Sequence, residues 1–241
     1  MQKISCFYHK VNNFSPIRST IGTRLDNSSL RIVVALRLGA PVCLPHVCVC
    51  GMAVDSSGRH GLSCRKSAGR LSRHNAVNDL IKRALMSADV PSRLEPKSLA
   101  QHDDRRPDGL SLMPWSNGRC LAWDFTCPDT LAPSHLNTAI TGQGAVANEA
   151  EAKKKSKYAC LLPTFDFIPI AVETMGSLGD EACAFMHQLG RRIMSVTGER
   201  RATEFLLQRL SVAIQRGNAS CVLGTINSVK DCQNLDVVFY L

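Results

Sequence analysis

Aromatic side chains and acid are both scarce in this sequence. Aromatic residues fill 5% of its 241 positions, so any sizeable core must be built mainly from aliphatic side chains. Lys and Arg outnumber Asp and Glu 29 to 20, giving a formal charge of +9; a field of that sign points to an anionic partner, either nucleic acid or a membrane surface. The N-terminal stretch "MQKISCFYHKVNNFSP" lacks the long apolar centre of a secretory signal. No apolar run approaches the roughly 18 residues of a spanning helix. These absences lead to the expectation of an intracellular, soluble protein with no membrane partner. No internal repeat or low-complexity tract is visible.

What the sequence does hold is unevenly distributed. Residues 59 to 106 contain eleven Lys or Arg against five Asp or Glu, so about six of the nine excess positive charges lie in a fifth of the chain. Eleven cysteines are present, and in a reducing compartment a cluster of them reads as metal ligands before disulfides. "CLPHVCVCGMAVDSSGRHGLSC" offers Cys43, His46, Cys48, Cys50, His60 and Cys64 within 22 residues. A tetrahedral Zn²⁺ takes four N or S ligands, which a short segment supplies as two close pairs joined by a turn. Cys48-x-Cys50 with His60-x₃-Cys64 has that form, with Cys43 or His46 as possible substitutes and His74 as an outlying candidate. One structural zinc is expected, because so apolar-poor a fragment needs a cross-link to hold its shape.

Around this segment the periodicities suggest a small α/β core. Helices are expected at residues 28–39, with Leu30, Val33, Val34 and Leu38 as its apolar positions, and at 72–88, 145–161, 180–195 and 202–216. Strands are expected at 109–112, 120–126 and 165–174, the first two flanking the turn signal Asn117-Gly118. That order implies a small mixed sheet flanked by helices. The expected division is a leader and short helix (1–39), a zinc knuckle (40–70), the α/β core (71–217) and a tail (218–241).

Two aspartates, Asp108 and Asp124, flank the hairpin. Metal-dependent phosphodiester hydrolysis needs carboxylates to hold Mg²⁺ or Mn²⁺ and a cation to orient water or meet developing charge. The turn decides whether these two share a face. A plain two-residue loop pairs position 108 with 127 and sends Asp124 to the other side, so a shared site requires an odd loop or a bulge, for which Pro114 gives the opportunity. In the helix "AVANEAEAKKKSKYACL", Lys154 and Lys157 fall on the same stripe as Ala147, Ala150 and Leu161 and so are expected to face the sheet. Glu95 is a third candidate acid for the site. Glu173, closing a strand, reads as a cap for the next turn.

"RPD", then Asp124 after a spacer, then "KSKY", resembles the restriction-like endonuclease of LINE-type (non-LTR) retrotransposons, a branch of the PD-(D/E)XK nuclease superfamily. The upstream "CVCG…RHGLSC…RHNAVNDL" is similar to the CCHC zinc knuckle and "RHN" helix that precede that nuclease. The resemblance spans roughly residues 28 to 217 and implies a restriction-endonuclease-like fold. It implies nicking of DNA, Asp108 and Asp124 as metal ligands, and Lys154 or Lys157 as the catalytic lysine, with a nuclear location. The superfamily's D/E-x-K lysine would fall at Thr126, so the lysine has to come from the helix. Nothing resembles the polymerase that accompanies the nuclease in those elements. Arg65, Lys66, Arg70, Arg73, Arg105 and Arg106 are the expected phosphate contacts, with DNA as partner and RNA as a second candidate. The alternative reading is an inert nucleic-acid-binding module, or a decayed transposon remnant, in which the same cations bind but nothing is cut.

Overall fold

The computed structural model describes residues 24–96 and 106–226. Most of the expected leader, Arg105 and the end of the expected tail lie outside the described residues. The elements are α1 (Asn27–Leu38), β1 (His46–Val47), β2 (Ala53–Val54), α2 (His60–Ser63), α3 (Ala68–Ser87), β3 (Ser92–Leu94), β4 (Gly109–Ser116), β5 (Arg119–Thr126), α4 (Leu136–Ala139), α5 (Ala145–Lys157), β6 (Asp166–Ala171), α6 (Asp180–Thr197) and α7 (Ala202–Leu223). The protein is thus mixed α/β, as expected, with a four-stranded sheet of order β3-β4-β5-β6. The first two pairings are antiparallel and β5-β6 is parallel. A separate two-stranded sheet, β1-β2, precedes it.

Alternation along β5 sorts the layers. Leu121, Trp123 and Phe125 face one side, where they join Val77, Ile81 and Leu85 of α3, Phe185 and Leu189 of α6, and Leu206, Leu210 and Ile214 of α7 in the main core. Ala122 faces the other side, packing with Leu110, Tyr158, Leu161 and Phe167. Helix α5 covers that second face as the crossover between parallel β5 and β6, the connection such a pair requires. Asp124, two residues from Ala122, falls on the α5 side.

The hairpin contains the irregularity that a shared site needs. Its loop is the plain two-residue Asn117-Gly118, both with positive φ (50° and 74°), and Ser116 pairs with Arg119. Pro114 then pairs with Cys120, leaving two residues of β4 against one of β5; Leu110 pairs with Ala122, leaving four against two. Three residues of β4 are therefore extra, an odd number, and the paired register ends at Gly109↔Trp123, with Asp108 at the bend just before β4. Pro114 has no N–H to give the ladder. Ser111 stitches the gap: its Oγ accepts from Leu121 N (2.9 Å) and donates to Met113 O (2.7 Å).

Several boundaries differ from the sequence reading. β4 continues through Pro114 to Ser116, and β3 was not expected at all. In α1 the cap is Asp26, which accepts from Ser29 N at 2.8 Å, and the buried side is Ser29, Ile32, Val33 and Leu36. Leu30, Val34 and Leu38 are exposed, because α1 turns its other flank toward α7. Helix α5 ends at Lys157 and is followed by a 3-10 turn over Ala159–Leu161. Helix α7 runs to Leu223, well past 216, since Ala219, Cys221 and Val222 are fully buried against Ile32, Leu36, Val42, Val54 and Leu62. The expected boundaries at 70/71 and 217/218 therefore fall inside α3 and α7.

The α3–α7 contact is close enough to demand glycine. A Cβ at Gly69 would lie 2.3 Å from Cys221 N and 2.4 Å from Ser220 C, both backbone atoms that cannot swing away. Gly69→Ala is expected to destabilise the fold by about 1–3 kcal/mol, read as a lower urea midpoint with an unchanged slope.

Candidate metal centre and acidic hairpin

The β1-β2 hairpin brings the first two zinc candidates together. Gly51, at φ 90°, makes the tight turn, with Gly51 N donating to Cys48 O (2.7 Å) and Cys48 N to Met52 O (2.8 Å). The short helix α2 begins at His60 and delivers Cys64 one turn later. Cys48, Cys50, His60 and Cys64 then have their ligand atoms all within 4.8 Å of one another. Cys48 Sγ lies 3.6 Å from Cys64 Sγ, and Cys50 Sγ 3.2 Å from His60 Nε2. Zn–S bonds of about 2.3 Å in a tetrahedron separate two sulfurs by about 3.8 Å, so the donor set and spacing fit zinc. Burial pushes the Cys48 thiol up to about 12, a penalty that a bound divalent cation removes.

These are the four ligands expected from the sequence. The alternatives are otherwise engaged. Cys43 Sγ sits 3.4 Å from Asp55 O, and His46 binds Leu44 O and Thr225 Oγ1, each at 2.9 Å. His74, the outlying zinc candidate, is in the other site altogether.

That other site centres on the hairpin. Asp124, with a side chain only 5% exposed, is ion-paired to Lys154 Nζ from α5, and its Oδ1 accepts from Tyr158 OH at 2.7 Å. Tyr158 OH is also 2.9 Å from Arg106 O, tying the approach to Asp108 onto the same hydroxyl. Asp108 Oδ2 accepts from Phe125 N (2.6 Å) and meets His74 Nε2 at 3.0 Å. Burial pushes the Asp108 carboxyl up, but His74 and the Phe125 N–H outweigh it and hold the group below its ordinary value. The hydrogen bond to Asp108 raises His74 against burial, and the charge of Asp124 adds to the rise. His74, Asn78, Asp79, Glu95 and Asp108 line a cleft of about 500 Å³ beside the pair.

Of the expected site residues, Asp124 and Lys154 are brought together; Asp108 is bound instead to the main chain of Phe125, the residue after Asp124, and to His74 from α3. Lys157 is not on the sheet-facing side: it is exposed, its ammonium 4.6 Å from the Tyr158 ring centroid and 3.1 Å from the hydroxyl. The buried stripe of α5 is Ala147, Glu151, Lys154 and Tyr158, and Lys157 lies off it. Glu95 lines the cleft but pairs with Arg106 (2.9 Å). Arg65, Lys66 and Arg70 are exposed near the Cys/His group. Arg73 is not a surface cation; it is 3% exposed and donates to Asn218 Oδ1 at 2.6 Å, filling the space over Gly217. Glu173 caps α5, not the following turn, with Oε1 accepting from Ala147 N at 3.2 Å.

His74 and Tyr158 are the members of the site that sequence reasoning missed. Tyr158 follows Lys154 by four residues and so shares its face, a signal that was available. His74 gave none, because its partner lies 34 positions away. Among the described residues no helix is long and apolar enough to cross a membrane. No family model matches the chain, and no curated protein does either.

Two measurements follow from these sites. Purified protein should carry one zinc per chain, and Cys64→Ser or a strong chelator should lower the Tm; substoichiometric zinc in intact protein contradicts the assignment. On α5, Glu151 accepts from Ala182 N (2.8 Å) and Glu181 N (3.1 Å), and burial raises its carboxyl from 4.5 to about 7 despite those bonds. A raised carboxyl contributes stability that is complete below pH 4.5 and is lost as pH rises through about 7. The Tm of Glu151→Gln relative to the unaltered protein should therefore rise between pH 5 and pH 8; a flat or falling difference contradicts it.

Proposed function

We propose that this chain is a divalent-cation-dependent DNA endonuclease with a restriction-endonuclease-like core, related to the nuclease of LINE-type retrotransposons and held to its substrate by a zinc-bound knuckle. One observation carries the reading: Lys154 reaches across from α5 to Asp124, while Asp108 accepts from the N–H of Phe125, the residue next to Asp124. Two carboxylates and a lysine are what hydrolysis of a phosphodiester needs, and they come from three different elements. The lysine has to come from the helix, because the strand position two residues after Asp124, on its face, is Thr126.

In this reading Asp108 and Asp124 hold Mg²⁺ or Mn²⁺, a hard cation suited to carboxylate oxygens. When bound, such an ion supplies Lewis-acid polarisation of the scissile phosphate. Lys154, beside Asp124, would orient the attacking water and meet the charge that develops on phosphate oxygen. Tyr158 keeps Asp124 in position through its hydroxyl. Arg65, Lys66 and Arg70 contact the DNA backbone, a sequence-independent grip; RNA offers the same phosphates. A protein acting on chromosomal DNA would work in the nucleus.

A second reading also has an observation in its favour. Lys154 and Tyr158 already satisfy Asp124 without a metal, as they would in an inert nucleic-acid-binding module or a decayed copy. Plasmid nicking separates the two. With Mg²⁺ the protein should convert supercoiled plasmid to open circles, and Asp108→Ala, Asp124→Ala and Lys154→Ala should each reduce the rate by at least about a hundredfold. Binding without nicking, or nicking that survives these substitutions, overturns the nuclease reading.

A further inference from the structure

A chain of hydrogen bonds runs from the buried core through the partly exposed His74 to Asp108. Trp123 Nε1 lies 3.0 Å from Asn78 Oδ1, Asn78 Nδ2 lies 3.3 Å from His74 Nδ1, and His74 Nε2 lies 3.0 Å from Asp108 Oδ2. Its first two members are deeply buried, Trp123 at 0% and Asn78 at 4% exposure, so neither can exchange these partners for water.

The direction of the chain follows from its first link. An indole N–H only donates. It must therefore face the carbonyl oxygen of Asn78, which turns the Asn78 amide N–H₂ toward His74. That amide donates, so His74 Nδ1 has to accept and carries no proton. Whenever the imidazole is neutral, its single proton then sits on Nε2, pointed at Asp108. With Phe125 N–H on the same oxygen, Oδ2 is committed twice and the plane of the carboxylate is set.

We infer that His74 is the positioning residue of Asp108: Trp123 and Asn78 hold its imidazole as the Nε2–H tautomer, which fixes the carboxylate for a divalent cation. This inference rests on the nuclease reading for the identity of the ion, but not for the tautomer. His74 acts through Asp108 and not on the phosphate, as partners behind metal-binding side chains commonly do. The strands contribute to both halves of the site at once, since Trp123 and Phe125, which start and finish the arrangement around Asp108, bracket Asp124 on β5.

Two measurements on the full-length, zinc-loaded protein test it. ¹⁵N-histidine NMR, taken at alkaline pH so that the ring is neutral despite the rise that Asp108 gives it, should show His74 protonated at Nε2 and bare at Nδ1. Mn²⁺ binding followed by electron paramagnetic resonance should weaken at least about tenfold in His74→Ala and stay within about threefold in His74→Gln, whose side-chain amide N–H replaces the Nε2–H donor. A proton on Nδ1 alone overturns the inference while leaving the nuclease reading intact if plasmid is still nicked. Equal losses in both variants, or none in either, overturn it too. Should the tautomer be found in a protein that neither binds Mn²⁺ nor nicks DNA, the nuclease reading falls and takes the metal-orienting role with it.

Discussion

Three extra residues in one strand of a hairpin set how the segment carrying Asp108 meets the strand carrying Asp124. With the two-residue Asn117-Gly118 turn alone, Asp108 would face position 127 and Asp124 would lie on the opposite side of the sheet. The odd excess in β4 changes that parity, and Asp108 meets the main chain of β5 at Phe125, one residue from Asp124. The excess is tolerated because Pro114 lacks the N–H that a regular ladder would use, and because the Ser111 hydroxyl fills in for a main-chain partner at Leu121 N. A buried carboxylate then requires a cation, since an isolated charge out of water is costly. Lys154 meets that need at Asp124, which in turn dictates the orientation of α5 and brings Tyr158 underneath.

Helix α7 makes one body of what looked like separate modules. Its first half lies in the main core through Leu206, Leu210 and Ile214; its last turns, through Cys221 and Val222, close the core beneath the Cys/His group. Ser67 Oγ donates to Cys221 O at 2.8 Å and Arg73 to Asn218, so α3 is fastened along the same helix. The segment with the Cys/His group consequently packs on the helix α7 to which α3, the helix of His74, is fastened. A cation-rich surface around Arg65, Lys66 and Arg70 would be held at a set position relative to the acidic pair, and not on a flexible tether.

Periodicity and local motif made much of this visible beforehand. The element order, the mixed sheet and the four-residue Cys/His group were legible because each depends on spacing within a short window. The need for an irregular hairpin was legible too, since it follows from parity alone. What escaped depends on contacts remote in sequence. Arg73 looked like its neighbours Arg65 and Arg70 until α7 covered it. His74 read as a spare metal ligand because Asp108, its partner, comes from another element. Lys157 was placed with Lys154 by a stripe that included Ala150, whereas the buried stripe runs through Glu151, a charged residue that simple apolar counting passes over but that packs against the start of α6. The end of α7 was missed since 218–223 carries little periodic signal and is helical through its burial.

The central claim is that Asp108 and Asp124 act as one site for a hard divalent cation. Mn²⁺ soaked into crystals of this protein and located by anomalous scattering tests it most directly. The account predicts one peak between the two carboxylates, within about 2.0–2.3 Å of an oxygen from each, with Lys154 displaced from Asp124. No peak there, or Mn²⁺ held by one aspartate with the Lys154–Asp124 ion pair undisturbed, would contradict it.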